Sequence, residues 1–356
     1  MKETENLLCA LSPLMTVSGF ERRETDALRA LLDRFTEYKS DAYGNHFFYL
    51  RSGKPDMPLL LLDTHYDEIG MMVTELLEGG FVRVTSIGGI DAHVLPASQV
   101  FLYPMAGEPI PAVVVSTPPH LQKEGDSEKV QPVKEILIDT GYPLAELEQL
   151  VSIGTPVGFA PVVTRLGNDT VGEDLQLCGK GFDNKACVAA AVRAALLLAE
   201  EGADMPCDLC LALSAKEEMG YQNPRTVAAS ARPDAAIVLD VTFGSAPDVD
   251  AADGCAMYGG PVISLSAILS KSLTRALRQT AKENEIPHGV YVDAANTGTN
   301  ANLLPICGEG IPTALVSIPL KSMHTPSEVI ATKDVYETAR LLAAFVKGGF
   351  AQWITA

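Results

Sequence analysis

The sequence predicts an α/β protein in which a mixed α/β unit is interrupted by a small β unit, and three observations carry that reading. From Gly179 onward, long apolar helical runs alternate with short apolar strands. Between Met71 and about Val163 the texture changes to brief β-rich runs separated by Gly and Pro turns, the pattern of a small barrel or sandwich. The chain has 356 residues, of which 47% are hydrophobic and 20% charged. At roughly 100–200 residues per domain that length suits two domains with ample apolar surface to bury.

Taken in order, residues 4–36 read as helix, with Leu7, Leu8 and Leu11 and later Leu28, Leu31 and Leu32 on one face, broken by turns at Pro13 and Gly19. A short strand pair is expected around Tyr43–Leu50, and Pro58–Leu62 is a buried run. Inside the β unit one helix, Leu144–Leu150, is expected, and the polar stretch His120–Gln131 reads as an exposed loop. Then follow a helix over Asn184–Glu201, a strand at Leu209–Ser214, a helix at Thr226–Ser230 and a strand at Ala235–Leu239. Leu269–Asn284 is a further helix, Thr313–Ser317 a strand and Lys333–Val346 a closing helix. No internal repeat is visible.

Composition excludes some partners. With 27 Lys and Arg against 45 Asp and Glu the net charge is −18. Nucleic acid and anionic membranes, both polyanions, are therefore not expected as partners. The N-terminal stretch MKETENLLCALSPLM lacks the apolar core of a signal peptide, and no run approaches the ~18 apolar residues of a spanning helix. Seven scattered cysteines suit a reducing compartment, so a cytoplasmic location is expected. The lone Cys207-x-x-Cys210 pair flanks the start of an apolar strand and reads as core packing, because a zinc site would need a second pair or nearby histidines.

Four apolar runs each end in a group that can bind metal. PLLLLDTH ends at His65, with Asp67 and Glu68 beyond it; LCLALSAKEE at Glu217 and Glu218; AAIVLD at Asp240; and TALVSIPLKSMH at His324. A fifth candidate, Asp183 in GKGFDNKA, opens a long helix. Ligands of open α/β sheets bind beyond the carboxyl ends of strands, so groups far apart in sequence can converge there. Singly, each has an ordinary explanation: a hydrogen-bonded histidine, a turn aspartate, glutamates at a helix start. Their coincidence, with only six histidines in the chain, favours a metal site. Two imidazoles and three carboxylates suit Zn, Co or Mn, and suffice for two ions if one carboxylate bridges. No GxSxG elbow, Walker loop or GxGxxG is present. Paired carboxylates could serve glycoside hydrolysis, although that chemistry needs no histidines.

The chain resembles the tetrahedral, glutamyl and deblocking aminopeptidase family of dinuclear metallopeptidases, the forty-second metallopeptidase family, whose members are often labelled endoglucanases. The resemblance runs from about Leu8 to Phe345. His65-Tyr66-Asp67-Glu68-Ile69-Gly70 is similar to its HxDEhG motif, Glu217-Glu218-Met219-Gly220 to EEhG, and Met323-His324-Thr325-Pro326-Ser327-Glu328 to its final HSPxE. Gly88-Gly89-Ile90-Asp91 and Leu95-Pro96, with Pro118-Pro119-His120 and Ile138-Asp139-Thr140-Gly141, resemble a signature of its inserted β domain. Asp183-Asn184-Lys185 lies where the family usually has Asp-Asp-Arg, and Leu239-Asp240-Val241-Thr242 resembles its Asp-ligand strand.

The resemblance implies a mixed-sheet α/β/α zinc-peptidase-like catalytic domain from residues 1–70 and 164–356, with residues 71–163 as an inserted β-barrel that mediates assembly. It implies an aminopeptidase removing N-terminal residues from short peptides with a water activated by two divalent ions per subunit. In this scheme His65 and Asp240 hold one ion and Glu218 and His324 the other, with Asp183 bridging. Glu217 is the general base, and Asp67 orients His65. A homo-oligomer, dodecameric in relatives, is expected. Asn184, Lys185, Lys216, Asn300 and Lys321 stand where the family commonly has Asp, Arg, Gln, Asp and Arg, and Asn223-Pro224-Arg225 replaces Arg-Gly-Ala. No ligand position is lost. A non-catalytic peptide-binding scaffold and a glycoside hydrolase are the alternative readings.

Overall fold

A computed structural model of the chain describes residues 1–33, 35, 37–121, 129–167, 175–200 and 205–355. Its strands are β1 (Glu37–Ser40), β2 (His46–Leu50), β3 (Leu59–His65), β4 (Gly70–Leu77), β5 (Phe81–Ile87), β6 (Gln99–Leu102), β7 (Ile110–Val114), β8 (Leu137–Asp139) and β9 (Pro156–Phe159). They continue with β10 (Thr164–Leu166), β11 (Gln176–Gly179), β12 (Asp208–Ser214), β13 (Ala235–Phe243), β14 (Val262–Ser266), β15 (Gly289–Asp293), β16 (Thr313–Lys321) and β17 (Glu328–Ala331). The helices are α1 (Lys2–Leu11), α2 (Thr25–Leu31), α3 (Leu144–Leu150), α4 (Phe182–Glu200), α5 (Pro224–Ala231), α6 (Lys271–Glu283), α7 (Thr332–Ala344) and α8 (Phe350–Thr355).

Two sheets organise these elements. Strands β4-β5-β8-β7-β6-β9 close into an antiparallel barrel around its own core, which includes Val73, Val84, Val100 and Ile138. Closure removes the free edges that six short strands would otherwise expose. The other sheet is mixed, in the order β1-β2-β12-β3-β13-β16-β17-β11-β10, with β14 pairing both β15 and β16. Its centre, β12-β3-β13-β16, is wholly parallel and buried on both faces, so these strands read as continuous apolar runs without alternation. One face packs on α4, which is buried along most of its length and contacts α1 and α7; the other is covered by α5 and the Ala301–Ile311 segment.

Register then places the chemistry. Ser214 of β12 pairs with His65 of β3, so Glu217 and Glu218 emerge just past the same edge. Val238 of β13 pairs with Asp63 of β3, which brings Asp240 level with His65 two residues on.

The elements predicted as α3, α4, β12 and β13 fall close to their expected places, but several readings need correction. The 4–36 stretch is helical on either side of the expected break at Pro13 and Gly19, but α1 begins at Lys2, a 3-10 turn at Glu21–Glu24 precedes α2, and α2 stops at Leu31; residues 34 and 36 lie outside the described residues. The expected Tyr43–Leu50 strand pair is β1 with β2, and Tyr43 itself sits in the turn. There Asp41 Oδ1 accepts the amides of Tyr43, Gly44 and Asn45, and Gly44 takes the positive φ of 115° the turn requires. Strands β14, β15 and β17 escape a sequence reading: each is only four or five residues, and β15 leaves Val290 and Val292 exposed. Residues 122–128 of the expected polar loop and residue 201 of the expected helix lie outside the described residues. Cys207 and Cys210 are fully buried, unpaired and part of the apolar core.

Candidate metal centre

Seven of the eight residues singled out at the ends of apolar runs and the helix mouth come to one place at the carboxyl edge of the parallel strands; Glu68 does not. The imidazole of His65, almost fully buried at the end of β3, has its Nε2 3.2 Å from Asp183 Oδ1 and 3.6 Å from Asp240 Oδ1. On the far side, His324 Nε2 stands 3.2 Å from Asp183 Oδ2 and 3.3 Å from Glu218 Oε1. The two oxygens of one carboxylate therefore face two different imidazoles, each accompanied by a further carboxylate. Glu217 Oε2 lies 4.0 Å from His65 Nε2, set back from both pairs.

These separations can be tested against an ion. Two donors each about 2.1 Å from one ion, at a tetrahedral angle, stand about 3.4 Å apart. The four N···O separations of 3.2, 3.6, 3.2 and 3.3 Å bracket that value. Asp183 Oδ1, for all its closeness to His65, has no hydrogen bond of acceptable geometry, and Glu217 Oε1 is likewise buried without a partner. His65, Asp183 and Glu218 each bring a donor atom within 4.8 Å of the others. The residues fit divalent cations.

Electrostatics point the same way. Burial would depress the pKa of His324, but the carboxylates of Asp183 and Glu218 reverse this and raise it to about 11. His65, against the same burial penalty, is raised well above its ordinary range by Glu217, Asp183, Asp240 and Asp67. Burial pushes Glu217 up to about 10; the His65 charge works against this, and Asp240, Glu218 and Asp67 add to it. The cluster holds more negative charge than its imidazoles can neutralise without taking up protons, and divalent ions would meet that demand.

The supporting groups are ordered differently from the expectation at one point. His65 Nδ1 faces the main-chain carbonyl of Asp67 at 3.0 Å, with the carboxylate at 3.6 Å. The Asp67 carboxylate instead accepts the amides of Glu217 and Glu218 at 3.0 and 3.2 Å, fixing the two glutamates as a pair. Glu68, at first grouped with the strand-end acids, points away: it is fully buried between Lys180 (2.6 Å) and Lys185 (3.1 Å). This cluster ties the β3 exit to the loop carrying Asp183. Asn184 donates to the Leu239 carbonyl, and Asn300 to Asp63 and Ser214, so both departures from the family pattern are hydrogen-bonded inside the fold.

Two supporting groups were not assigned a role from sequence. Buried Glu328 accepts the amide of Asp183 at 3.1 Å and that of His324 at 3.0 Å, holding two candidate ligands with one carboxylate. Its place in the Met323–Glu328 motif was the available signal. Gly89, on the loop leaving barrel strand β5, lies with its carbonyl 3.2 Å from His324 Nδ1. That contact leaves Nε2 free to face Asp183 and Glu218. A Cβ at Gly89 would stand 3.1 Å from the ring, so any larger residue there would push the imidazole by a few tenths of an ångström.

The chain is 30% identical over 340 residues to a lysyl aminopeptidase of Pyrococcus furiosus, covering 93% of each chain. It superposes on an aminopeptidase from the archaeon Desulfurococcus kamchatkensis with a TM-score of 0.88 at 26% identity, covering 99% of this chain and 97% of the other. The TET1 peptidase of Pyrococcus horikoshii, described as assembling into a tetrahedron or a large octahedral shell, matches with a TM-score of 0.81 at 25% identity, covering 97% and 99%. The family model described as M42 glutamyl aminopeptidase spans residues 44–341, and by that match over most of its length the chain belongs to the M42 glutamyl aminopeptidase family.

Proposed function

We propose that the chain is a dinuclear metallo-aminopeptidase that releases N-terminal residues from short peptides. The observation that carries the proposal is Asp183, whose two carboxylate oxygens each lie 3.2 Å from a different imidazole. In this reading His65 and Asp240 would hold one ion and Glu218 and His324 the other, with Asp183 placed to serve either. Zn, Co or Mn bound there would polarise the scissile carbonyl and lower the pKa of water at the site.

The chain's own groups do the rest. Glu217 takes a proton from the attacking water and passes it to the leaving amine; set back from both donor pairs, with Oε1 unpartnered, it is free to do so. Asp67, holding the amides of Glu217 and Glu218, keeps the base and its neighbouring ligand aimed in different directions. The surrounding carboxylates also suit the free α-amine of a peptide.

We assign catalysis to residues 1–70 and 164–356 and assembly into a homo-oligomer to residues 71–163, the oligomer being suggested by the shells described for the P. horikoshii relative. No helix among the described residues is long and apolar enough to cross a membrane. The seven unpaired cysteines support a reducing, cytoplasmic setting. Elemental analysis combined with a panel of aminoacyl anilides and a cellulose-type substrate tests the proposal. Two transition-metal ions per chain with anilide hydrolysis are expected. A fully active enzyme without transition metal, or glycan cleavage alone, would overturn it.

A further inference from the structure

On the outer edge of the mixed sheet, between α6 and the β14–β15 pair, lies a cavity of about 520 Å³ that shares no residue with the candidate metal centre. Its wall carries Lys271, Arg275 and Arg278, spaced so that they share one face of α6. Asp293 also lines it, leaving three cations against one carboxylate. That excess is unusual for a chain with 27 basic and 45 acidic residues. No ion pair joins any of the three cations to an acidic group among the described residues, whereas Arg51, Arg83, Arg193 and Arg340 elsewhere are paired.

Two polar atoms in the wall are buried without a hydrogen-bond partner: Nε of Arg278 and Oγ1 of Thr274, the latter on a side chain only 3% exposed. An unsatisfied buried donor costs about 1–3 kcal/mol, so such groups in a cavity mark a place where a partner is wanted. The first turn of the thirteen-residue α6, which carries Lys271 and Thr274, adds the positive end of its dipole. Leu269 and Val292 supply an apolar side, the mix of apolar wall and few polar anchors typical of small-molecule sites.

We propose that this cavity is a second binding site, separate from the metal centre, for a small organic anion bearing a carboxylate or a phosphate. The guanidinium groups of Arg275 and Arg278 grip the anionic group, for which their planar forks are shaped, and Lys271 adds a point charge. The apolar side takes the remainder of the molecule.

Calorimetric titration of the metal-loaded, full-length chain with inorganic phosphate, citrate and N-acetyl-leucine tests this. The expected result is a saturable event of one anion per chain that weakens at least about tenfold in Arg275→Ala/Arg278→Ala, since each lost charged hydrogen-bonding group is a strong contact. Metal content and thermal midpoint should be unchanged. The exposed single variant Arg275→Ala, which carries little folding risk, should show an intermediate loss. Binding of phosphate alone would identify a phosphate ester as the class, and binding of N-acetyl-leucine a carboxylate. Isotherms identical in wild type and variants, or no binding of any probe, would overturn the proposal. So would a change of particle mass in the double variant, which would make this face a contact between copies of the chain.

Discussion

In the proposed scheme, replacing Glu217 by Gln should separate proton transfer from metal binding. The side chain is 5% exposed, its amide is held by Asp67 Oδ1 at 3.0 Å, and its own carboxylate stands 4.0 Å from His65 Nε2, further out than the candidate ligands. Gln keeps the size and the main-chain anchor, and a neutral amide is cheaper to bury than a carboxylate, so neither fold nor metal content should suffer. What disappears is the proton acceptor. Loss of a general base costs about 10²–10⁴-fold, or about 3–5 kcal/mol of transition-state stabilisation, and should fall on kcat with little change in KM. Glu218→Gln is the control: Glu218 Oε1 lies 3.3 Å from His324 Nε2 among the candidate ligands, so its defect should be metal loss, partly rescued by excess ion. The assay is the rate of anilide hydrolysis by each variant titrated with metal. Full rescue of Glu217→Gln by added ion would mean the two roles are exchanged, and a near-normal kcat would refute the hydrolytic scheme.

Asp183→Asn should be the most damaging ligand substitution, because it weakens a group that faces both imidazoles; elemental analysis should show both ions reduced, and loss of only one would contradict bridging. Metal uptake should release protons, since His324, held at about 11, and His65, raised well above its ordinary value, must bind as neutral imidazoles. Apparent affinity therefore rises with pH, and calorimetry in buffers of different ionisation enthalpy should detect the released protons. In the cation-free chain the sign reverses: stability from the His324 charge is complete below its ordinary pKa and is lost as pH climbs through about 11, which thermal melts across that window check. Gly89→Ala places a Cβ 3.1 Å from the His324 ring and should lower occupancy of one ion only, leaving a stoichiometry near one per chain at limiting metal. Light scattering should give a particle mass several-fold above 37.9 kDa, and removing residues 71–163 should reduce it; an unchanged particle would contradict the assembly role of that segment.

Much of the site was legible because the central strands are parallel and buried on both faces. Such strands appear in sequence as plain apolar runs, and whatever polar group ends each run must emerge at the same edge of the sheet. His65, Glu217, Glu218 and Asp240 were identifiable on that ground alone, with His324 beyond the end of β16. The barrel was legible as a class, from its short runs and turn residues, although not in its strand order. Short strands such as β15 and β17 were not, because four or five residues carry too little periodicity to stand out.

The sequence by itself determined the fold class and pointed to the candidate donor types and the sheet edge they share, since local periodicity and side-chain chemistry are properties of neighbouring residues. Only the tertiary structure shows the contacts that join the candidate donors. Asp183 faces His65 and His324 at once; Glu328 clamps an amide 145 positions away; and the barrel's Gly89 approaches a histidine 235 positions away. It also decided that the Asp67 carboxylate serves the Glu217–Glu218 pair more than the imidazole, and that three cations of α6 face a cavity without acidic ion-pair partners among the described residues. These are contacts between segments remote in the chain. A hydrogen bond acts over about 3 Å of space, so a pairing across 235 residues leaves no periodic trace in the sequence and exists only once the sheet register and the barrel have brought its partners together.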